Sequence, residues 1–306
     1  MSHRSRLFCL DTVMMDIVVM VNEVPTRGSD VLAHRGLITT GGGFNAMSSA
    51  TRQGMSVVYA GRLGTGPFSD VARRSLADEG IATPVQPDDT IDAGFCVVVV
   101  DDAGERTFIT TRGSEARLRG DDLHRLDVRD GDYVLVSGYN VMYPTLGEAV
   151  LDWLDTLGQG VVVNFDPSNR VYDIAEPLLG RALARADWLL CNEVEARHLV
   201  SGESPSQLAE SLAGLVRGGQ SVVRHGATGC TVSQSTRTTA VASYATTVID
   251  TNGAGDTHNG VFIAELARGS DAIEAARRAN AAASIAISLA GPANCPARSV
   301  IDRLVA

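Results

Sequence analysis

The chain has 306 residues, 44% of them hydrophobic and 20% charged, an ordinary globular composition with material for a large core. Its net charge of −10, spread without a basic run, argues against nonspecific binding to nucleic acid or to an anionic membrane. All 26 basic residues are Arg, which removes Schiff-base and P-loop mechanisms, since both need Lys.

Leu7 to Leu10 reads as a short buried strand. The apolar N-terminal run is broken by Asp11 and is too short for a signal peptide. No later run reaches membrane-spanning length. The five cysteines (Cys9, Cys96, Cys191, Cys230, Cys295) are dispersed, with no zinc spacing, as suits a reducing compartment. A cytoplasmic protein is expected. Ile17 to Val21 is a second strand, and Asp16 stands among apolar neighbours, where a carboxylate needs a partner. It is either a turn or edge-strand residue or a ligand for substrate hydroxyls.

Ser29 to Ile38 reads as a further strand. Thr39-Thr40-Gly41-Gly42-Gly43-Phe44-Asn45 follows, a Gly run that lets backbone approach a ligand closely. Asn45 is placed at the start of a helix over 46–53, as a cap or as an amide contact for a ligand. After a strand at 57–60, Gly61, Gly64 and Gly66 are spaced G-x-x-G-x-G, which is not the dinucleotide fingerprint. A helix at 68–79 and a hairpin of strands at 95–100 and 107–111 come next. With the strands near residues 17 and 31, this hairpin forms a candidate small sheet.

From about residue 120, strands and helices alternate, which predicts a mostly parallel sheet covered on both faces. In such sheets ligands bind beyond the carboxyl ends of the strands. The polar turns at Asp166, Asn192, Gly226 and Asp250 all fall there. The apolar run Thr246 to Ile249 reads as a strand, and a helix is expected from about 257 to 267. Between them lies Asp250-Thr251-Asn252-Gly253-Ala254-Gly255-Asp256. A Gly-rich turn entering a helix collects unpaired N–H groups and the positive end of the helix dipole, an anion site. Asp256 is there either as a capping residue or as a general base beside an anion hole. Two Ala-rich helices are expected to close the chain, roughly from 271 to 280 and on toward 289.

These residues resemble the ribokinase-like sugar kinases, the phosphofructokinase-B family. Asp250 to Asp256 resembles that family's C-terminal signature D-T-x-G-A-G-D. Gly41-Gly42-Gly43-Phe44-Asn45 with Gly61 and Gly64 resembles the N-terminal signature, and Asn192-Glu193-Val194-Glu195 the N-x-x-E motif. The resemblance implies a three-layer α/β/α fold with a mostly parallel sheet and a small β lid. It implies one kinase domain over 1–306, with the lid at about 13–40 and 94–112. It implies ATP and Mg²⁺, and transfer of phosphate to a hydroxymethyl group of a small sugar or sugar derivative. Asp256 would be the general base, and Asn252, Gly253, Ala254 and Gly255 the anion hole. Asp16, Gly42, Gly43, Asn45 and Arg170 would contact the sugar. Asn192, Arg224, Gly226, Gly229 and Asn280 would line the nucleotide. Asn192 and Glu195 would organise Mg²⁺ through water, and Asp250 would lie near a monovalent cation such as K⁺. A homodimer through the lid sheet is also implied, with no nucleic-acid or membrane partner.

Some positions depart from the pattern. Thr40 replaces a Gly, and Asp166-Pro167-Ser168-Asn169-Arg170 shifts the Asn of D-x-N-x-R by one. Ser137-Gly138-Tyr139-Asn140 lacks an acidic residue, and Arg224-His225 replaces a small-polar and apolar pair. These departures argue against ribokinase itself and leave the acceptor open. A nucleoside kinase on the same scaffold and a non-catalytic sugar sensor are the alternatives. Arg112, Arg117 and Arg170 are the candidates for binding a phosphosugar.

Overall fold

The computed structural model describes residues 4–234 and 237–306. Met1 to His3, part of the N-terminal run considered above, lie outside the described residues. The chain opens with β1 (Arg6–Leu10), β2 (Val13–Met20) and β3 (Arg35–Gly42), then α1 (Phe44–Arg52), β4 (Ser56–Tyr59) and α2 (Pro67–Asp78). β5 (Phe95–Val100) and β6 (Arg106–Thr111) form the hairpin, followed by α3 (Gly120–His124). Regular alternation begins with β7 (Tyr133–Ser137), α4 (Gly138–Val141), α5 (Pro144–Thr156), β8 (Val162–Asp166) and α6 (Glu176–Arg185). It continues with β9 (Trp188–Asn192), α7 (Glu193–Leu199), α8 (Pro205–Ala213) and β10 (Gln220–Arg224). β11 (Cys230–Gln234) and β12 (Arg237–Val241) precede α9 (Ala254–Arg268), α10 (Ala272–Ala286) and α11 (Arg298–Val305).

Eight strands form the central sheet in the order β12-β11-β10-β9-β8-β7-β1-β4. The six from β10 to β4 run parallel, and β11 and β12 return antiparallel. Runs such as Leu7-Phe8-Cys9-Leu10 and Val134-Leu135-Val136 are apolar throughout because both faces of the sheet are covered. Leu7 and Cys9 face a core built with α1, α2, α9, α10 and α11. Phe8 and Leu10 face the opposite core, built with α5, α6 and α8. A separate four-stranded sheet has the order β3-β2-β5-β6. Its outer strands expose Leu37, Ile38, Phe108 and Ile109. No helix among the described residues is long and apolar enough to cross a membrane.

Several expected elements move. The strand expected over 29–38 is β3 at Arg35–Gly42, so Gly41 and Gly42 are themselves strand residues paired with Met14 and Val13. β2 begins at Val13, which puts Asp16 inside a strand opposite Thr39. The run 246–249 is not a strand. Ile249 and the N–H of Asp250 instead bond Ile287 O, and Val248 and Ile249 are exposed, so β-branched character without a pairing partner was a false signal. α11 was not anticipated, and α10 ends at Ala286.

Phe262 on α9 is fully buried, and its ring meets Trp188 of β9 edge-on with centroids 5.0 Å apart. This contact anchors the helix that carries the D-T-N-G-A-G-D turn to the sheet. Phe262→Ala is expected to cost about 3–5 kcal/mol of stability, read as a lower urea midpoint at unchanged slope.

Candidate functional site

The parallel register brings chemistry-bearing residues to one sheet edge. Leu10 pairs with Val136, so Asp11 follows beside Ser137; Ser137 pairs with Asp166 and Asn192 with Arg224. Asp11, Ser137, Asp166, Asn192 and Arg224 therefore stand in a row at the carboxyl ends of β1, β7, β8, β9 and β10.

Above this row sits the start of α9. Gly253, not Asp256, is the N-cap residue, with φ +74° in the left-handed region, and the cap has no side-chain hydrogen bond. The expected helix start at 257 is thus three residues late, and Asp256 lies within the first turn. Its carboxylate accepts from Asn45 Nδ2 at 3.2 Å. Asn45 is likewise not a cap: α1 starts at Phe44, and Gly43 precedes it. Freed from capping, Asn45 crosses to α9 and leaves its buried Oδ1 without a partner. The N–H of Asn252 donates to Asp250 at 2.9 Å and that of Ala254 to Thr251 O at 3.3 Å. Among the described residues, the N–H groups of Gly253 and Gly255 have no such protein acceptor.

The Gly run packs against the same place. A Cβ on Gly41 would lie 2.3 Å from Asp16 Oδ2, and one on Gly42 would lie 2.2 Å from Thr12 O. Gly42 also has φ +63°, so a side chain there is excluded twice over. Asp16 hydrogen-bonds the Asn252 side chain, which links β2 to the D-T-N-G-A-G-D turn. Burial pushes Asp16 up to about 6, and Asn252 acts in the opposite direction. Burial also raises Asp256 to about 6, with Asn45 opposing, Asp166 adding to the rise and Arg224 reducing it. Asp11 rises to about 8 through burial and then through Asp256.

Arg224 is the buried cation of the site. Its guanidinium bonds Asn259 Oδ1 at 2.5 Å and Asp166 Oδ2 at 3.3 Å, and lies 3.9 Å from Glu195. Asn259 Nδ2 closes the triangle to Asp166 at 2.6 Å. A Cβ on Gly255 would touch the same guanidinium at 3.3 Å. Burial works against the charge of Arg224, but Asp166 and Glu195 outweigh it and its pKa is raised. Asn192 and Glu195 form a complete capping box on α7, with bonds of 2.9 and 2.8 Å, which uses one oxygen of each. Among the described residues no cluster of three His, Cys, Asp or Glu forms a metal cage. The row offers hard oxygen donors in Asp166, Asn192 and Glu195, a set that fits Mg²⁺ held mostly by water and phosphate.

The other expected residues spread around this centre. Gly226 opens a short turn after β10, where a Cβ would meet nothing within 4 Å, and Gly229 O accepts from His225 N at 2.7 Å. Asn280 on α10 donates to Val241 O and Ala242 O at 3.0 and 3.1 Å, tying down the chain after β12. Asp250 is engaged on both oxygens: Oδ1 with Arg106 of β6 and Oδ2 with Gly291 N at 3.1 Å. Arg170 stands apart, paired with Asp173 at 2.5 Å and stacked over Tyr172. Gly61, Gly64 and Gly66 are explained by packing against the Tyr59 ring, Ile91 O and Asp92. His258 is buried in α9 beside the Asn280 side chain, and burial lowers it to about 3, with Arg224 adding to the fall and Asn280 opposing it. Asp166 was placed among the polar turns at the strand ends but given no role, and Asp11 and Asn259 were not singled out as site residues. A polar residue directly after a predicted strand was the available signal for Asp11.

The chain matches the family described as pfkB family carbohydrate kinase over residues 4–298, and it belongs to that family. It is 29% identical to an uncharacterized sugar kinase of Escherichia coli, covering 96% of this chain and 92% of that one. It is 26% identical to the ribokinase of Bacillus subtilis, covering 95% and 96%. Among solved structures it superposes on Thermotoga maritima ribokinase with TM-score 0.85 at 21% identity, covering 98% and 99% of the two chains. Arabidopsis thaliana ribokinase complexed with ribose and ATP gives 0.79 at 21%, covering 99% of each chain. An Escherichia coli structure containing ATP and Mg²⁺ gives 0.82 at 20%, covering 98% and 99%. The fold is ribokinase-like, with a mostly parallel sheet between helical layers and a small second sheet.

The raised carboxylates carry a stability consequence. Between an unfolded value near 4 and the folded values of about 6 for Asp16 and Asp256 and about 8 for Asp11, the native state binds more protons. Stability therefore falls as pH rises through that window. Asp256→Asn is expected to raise Tm by a few degrees at pH 8 and to change it little at pH 4, in paired thermal scans.

Proposed function

We propose that this kinase transfers the γ-phosphoryl group of ATP to a hydroxymethyl group of a small sugar or sugar derivative, with Asp256 as general base. The observation that carries the reading is the Asp256 carboxylate, half-buried in the first turn of α9 and held by Asn45 at 3.2 Å beside the N–H groups of Gly253 and Gly255, which among the described residues have no protein acceptor. A base raised to about 6 is ionised at neutral pH yet basic enough to take a hydroxyl proton as the oxygen attacks. The Gly253 and Gly255 N–H groups, at the positive end of the helix dipole, stabilise charge on the transferred group. Mg²⁺, when bound, would neutralise phosphate charge, and Asn192, Glu195 and Asp166 are the residues that would hold it. Arg224 lies against Gly255 and adds positive charge on the phosphate side. Gly226, Gly229 and Asn280 form the nucleotide side. Asp16, Gly42, Gly43 and Asn45 hold the acceptor.

Residues 1–306 form one kinase domain, with β2, β3, β5 and β6 as the lid. Closing it excludes water and suppresses ATP hydrolysis. The sugar reading is favoured over a nucleoside because Phe44, the aromatic beside the acceptor site, is packed into the core and offers no face for a base. Exposed apolar side chains on β3 and β6 support a homodimer through the lid.

Asp256→Asn is expected to keep ATP and sugar affinity while turnover falls roughly 10²–10⁴-fold. In the wild type, kcat/KM should fall about tenfold per pH unit below pH ~6 as the base is protonated. An ADP-release assay across sugars checks both, and near-normal activity of the variant rejects the assignment. Phe108→Asp is expected to yield a monomer by analytical ultracentrifugation, against a dimeric wild type.

A further inference from the structure

Asp11 is a half-buried carboxylate that the phosphoryl-transfer scheme leaves without a task. It follows β1 directly and faces the acceptor side of the cleft. Its Oδ1 accepts from Thr12 N at 2.6 Å, and the Ser137 side chain hydrogen-bonds it. A Cβ on Gly43 would stand 2.6 Å from Asp11 Cβ and 3.3 Å from its Oδ2. The bare Gly43 backbone therefore keeps room for this carboxylate beside the acceptor strand. The charged groups acting on Asp11 are Asp256 and then Asp166, both negative. On Asp16 the influences are burial and the Asn252 amide. The arginines that a phosphorylated acceptor would need are committed elsewhere. Arg112 lies over the Tyr143 ring at 4.1 Å, Arg117 bonds Thr90 and pairs with Asp88, and Arg170 pairs with Asp173. A second observation points to a ligand here. Asn45 is 2% exposed, donates to Asp256 and keeps an orphaned Oδ1 in the same cleft, an acceptor waiting for a donor.

The geometry points to Asp11 as a specificity-determining residue that, with Asp16, selects an uncharged polyhydroxy acceptor and rejects phosphorylated or carboxylated ones. This rests on the kinase reading above and names its substrate class. Hydroxyl groups donate to carboxylates and to the Asn45 oxygen, so a polyol satisfies all three acceptors at once. A phosphate or carboxylate brings acceptors only and adds negative charge to a cleft whose carboxylates already raise one another. The same arrangement explains how the protein manages without the acidic residue missing after Ser137, because the carboxylate comes from β1 instead.

The test uses ADP release with ribose, fructose and adenosine against ribose 1-phosphate and gluconate, for wild type, Asp11→Asn and Asp11→Ser. Calorimetric affinities for ATP and for each acceptor are measured alongside. The uncharged sugars, ribose and fructose, are expected to exceed the anionic acceptors at least tenfold in wild-type kcat/KM. Both substitutions should raise KM for the uncharged acceptors by roughly 10- to 100-fold, the range of a lost charge-assisted hydrogen bond. The change in kcat should be smaller, the uncharged-over-anionic ratio should shrink, and unchanged ATP affinity certifies the fold. A wild type that prefers an anionic acceptor, or substitutions that leave KM and the ratio in place, overturns the assignment while the kinase reading stands. ATP binding with neither turnover nor binding of any acceptor overturns both.

Discussion

One largely buried guanidinium ties together the sheet edge and the helices above it. Arg224 leaves the end of β10 and is gripped by Asn259 from α9 and Asp166 from β8, with Glu195 of α7 at 3.9 Å. Two strands and two helices thus meet on one cation. Burying an unpaired charge is costly, and so is leaving its carboxylates without it. The pairing is therefore stable only if all four elements keep their places, and the sheet register is what keeps them. The strain of gathering acidic groups in one cleft is visible in Glu195, raised to about 7 by burial and by Asp166 against the pull of Arg224.

The side proposed for the acceptor is built on the opposite rule: it gathers carboxylates, and Arg224 offsets only part of the rise of Asp256. Asp11, Asp16 and Asp256 come from β1, β2 and α9, and each is raised by burial first. On the proposed reading the two halves of the cleft differ in sign: arginine and helix N-terminus on the side assigned to phosphate, acid and amide on the side assigned to hydroxyls. Such a site is kept for function at the expense of stability.

The alternation of strand and helix after residue 120 was legible because the parallel strands are short apolar runs such as Val134-Leu135-Val136 and Leu189-Leu190-Cys191, separated by helix-length segments. The D-T-N-G-A-G-D turn was legible from its glycines and acids. Its local geometry was not. Asp256 and Asn45 both look like helix caps, yet glycines occupy the cap positions, Gly253 with a positive φ and Gly43 with an αR backbone. Residues 246–249 have strand composition but no strand beside them, and sequence does not report a missing partner. Asp11 and Asn259 were passed over for a related reason: their meaning depends on Ser137, Asp166 and Arg224, which are distant in the chain and adjacent only through the parallel register. The small sheet was legible as a sheet, but β3 slid several residues toward the Gly run, because it pairs with β2 up to Gly42.

Arg106 reaches from β6 to Asp250 and Thr251, so the far strand of the small sheet is fastened to the loop that carries Gly253. Both partners of the ion pair are partly open to solvent, with side chains 28% and 22% exposed. Pairs in such surroundings are worth about 0.2–1 kcal/mol and weaken with salt, an amount comparable to RT. The clasp is therefore one that ordinary thermal motion undoes and remakes many times over. It holds the small sheet against that loop only loosely, so the two can part at little energetic cost.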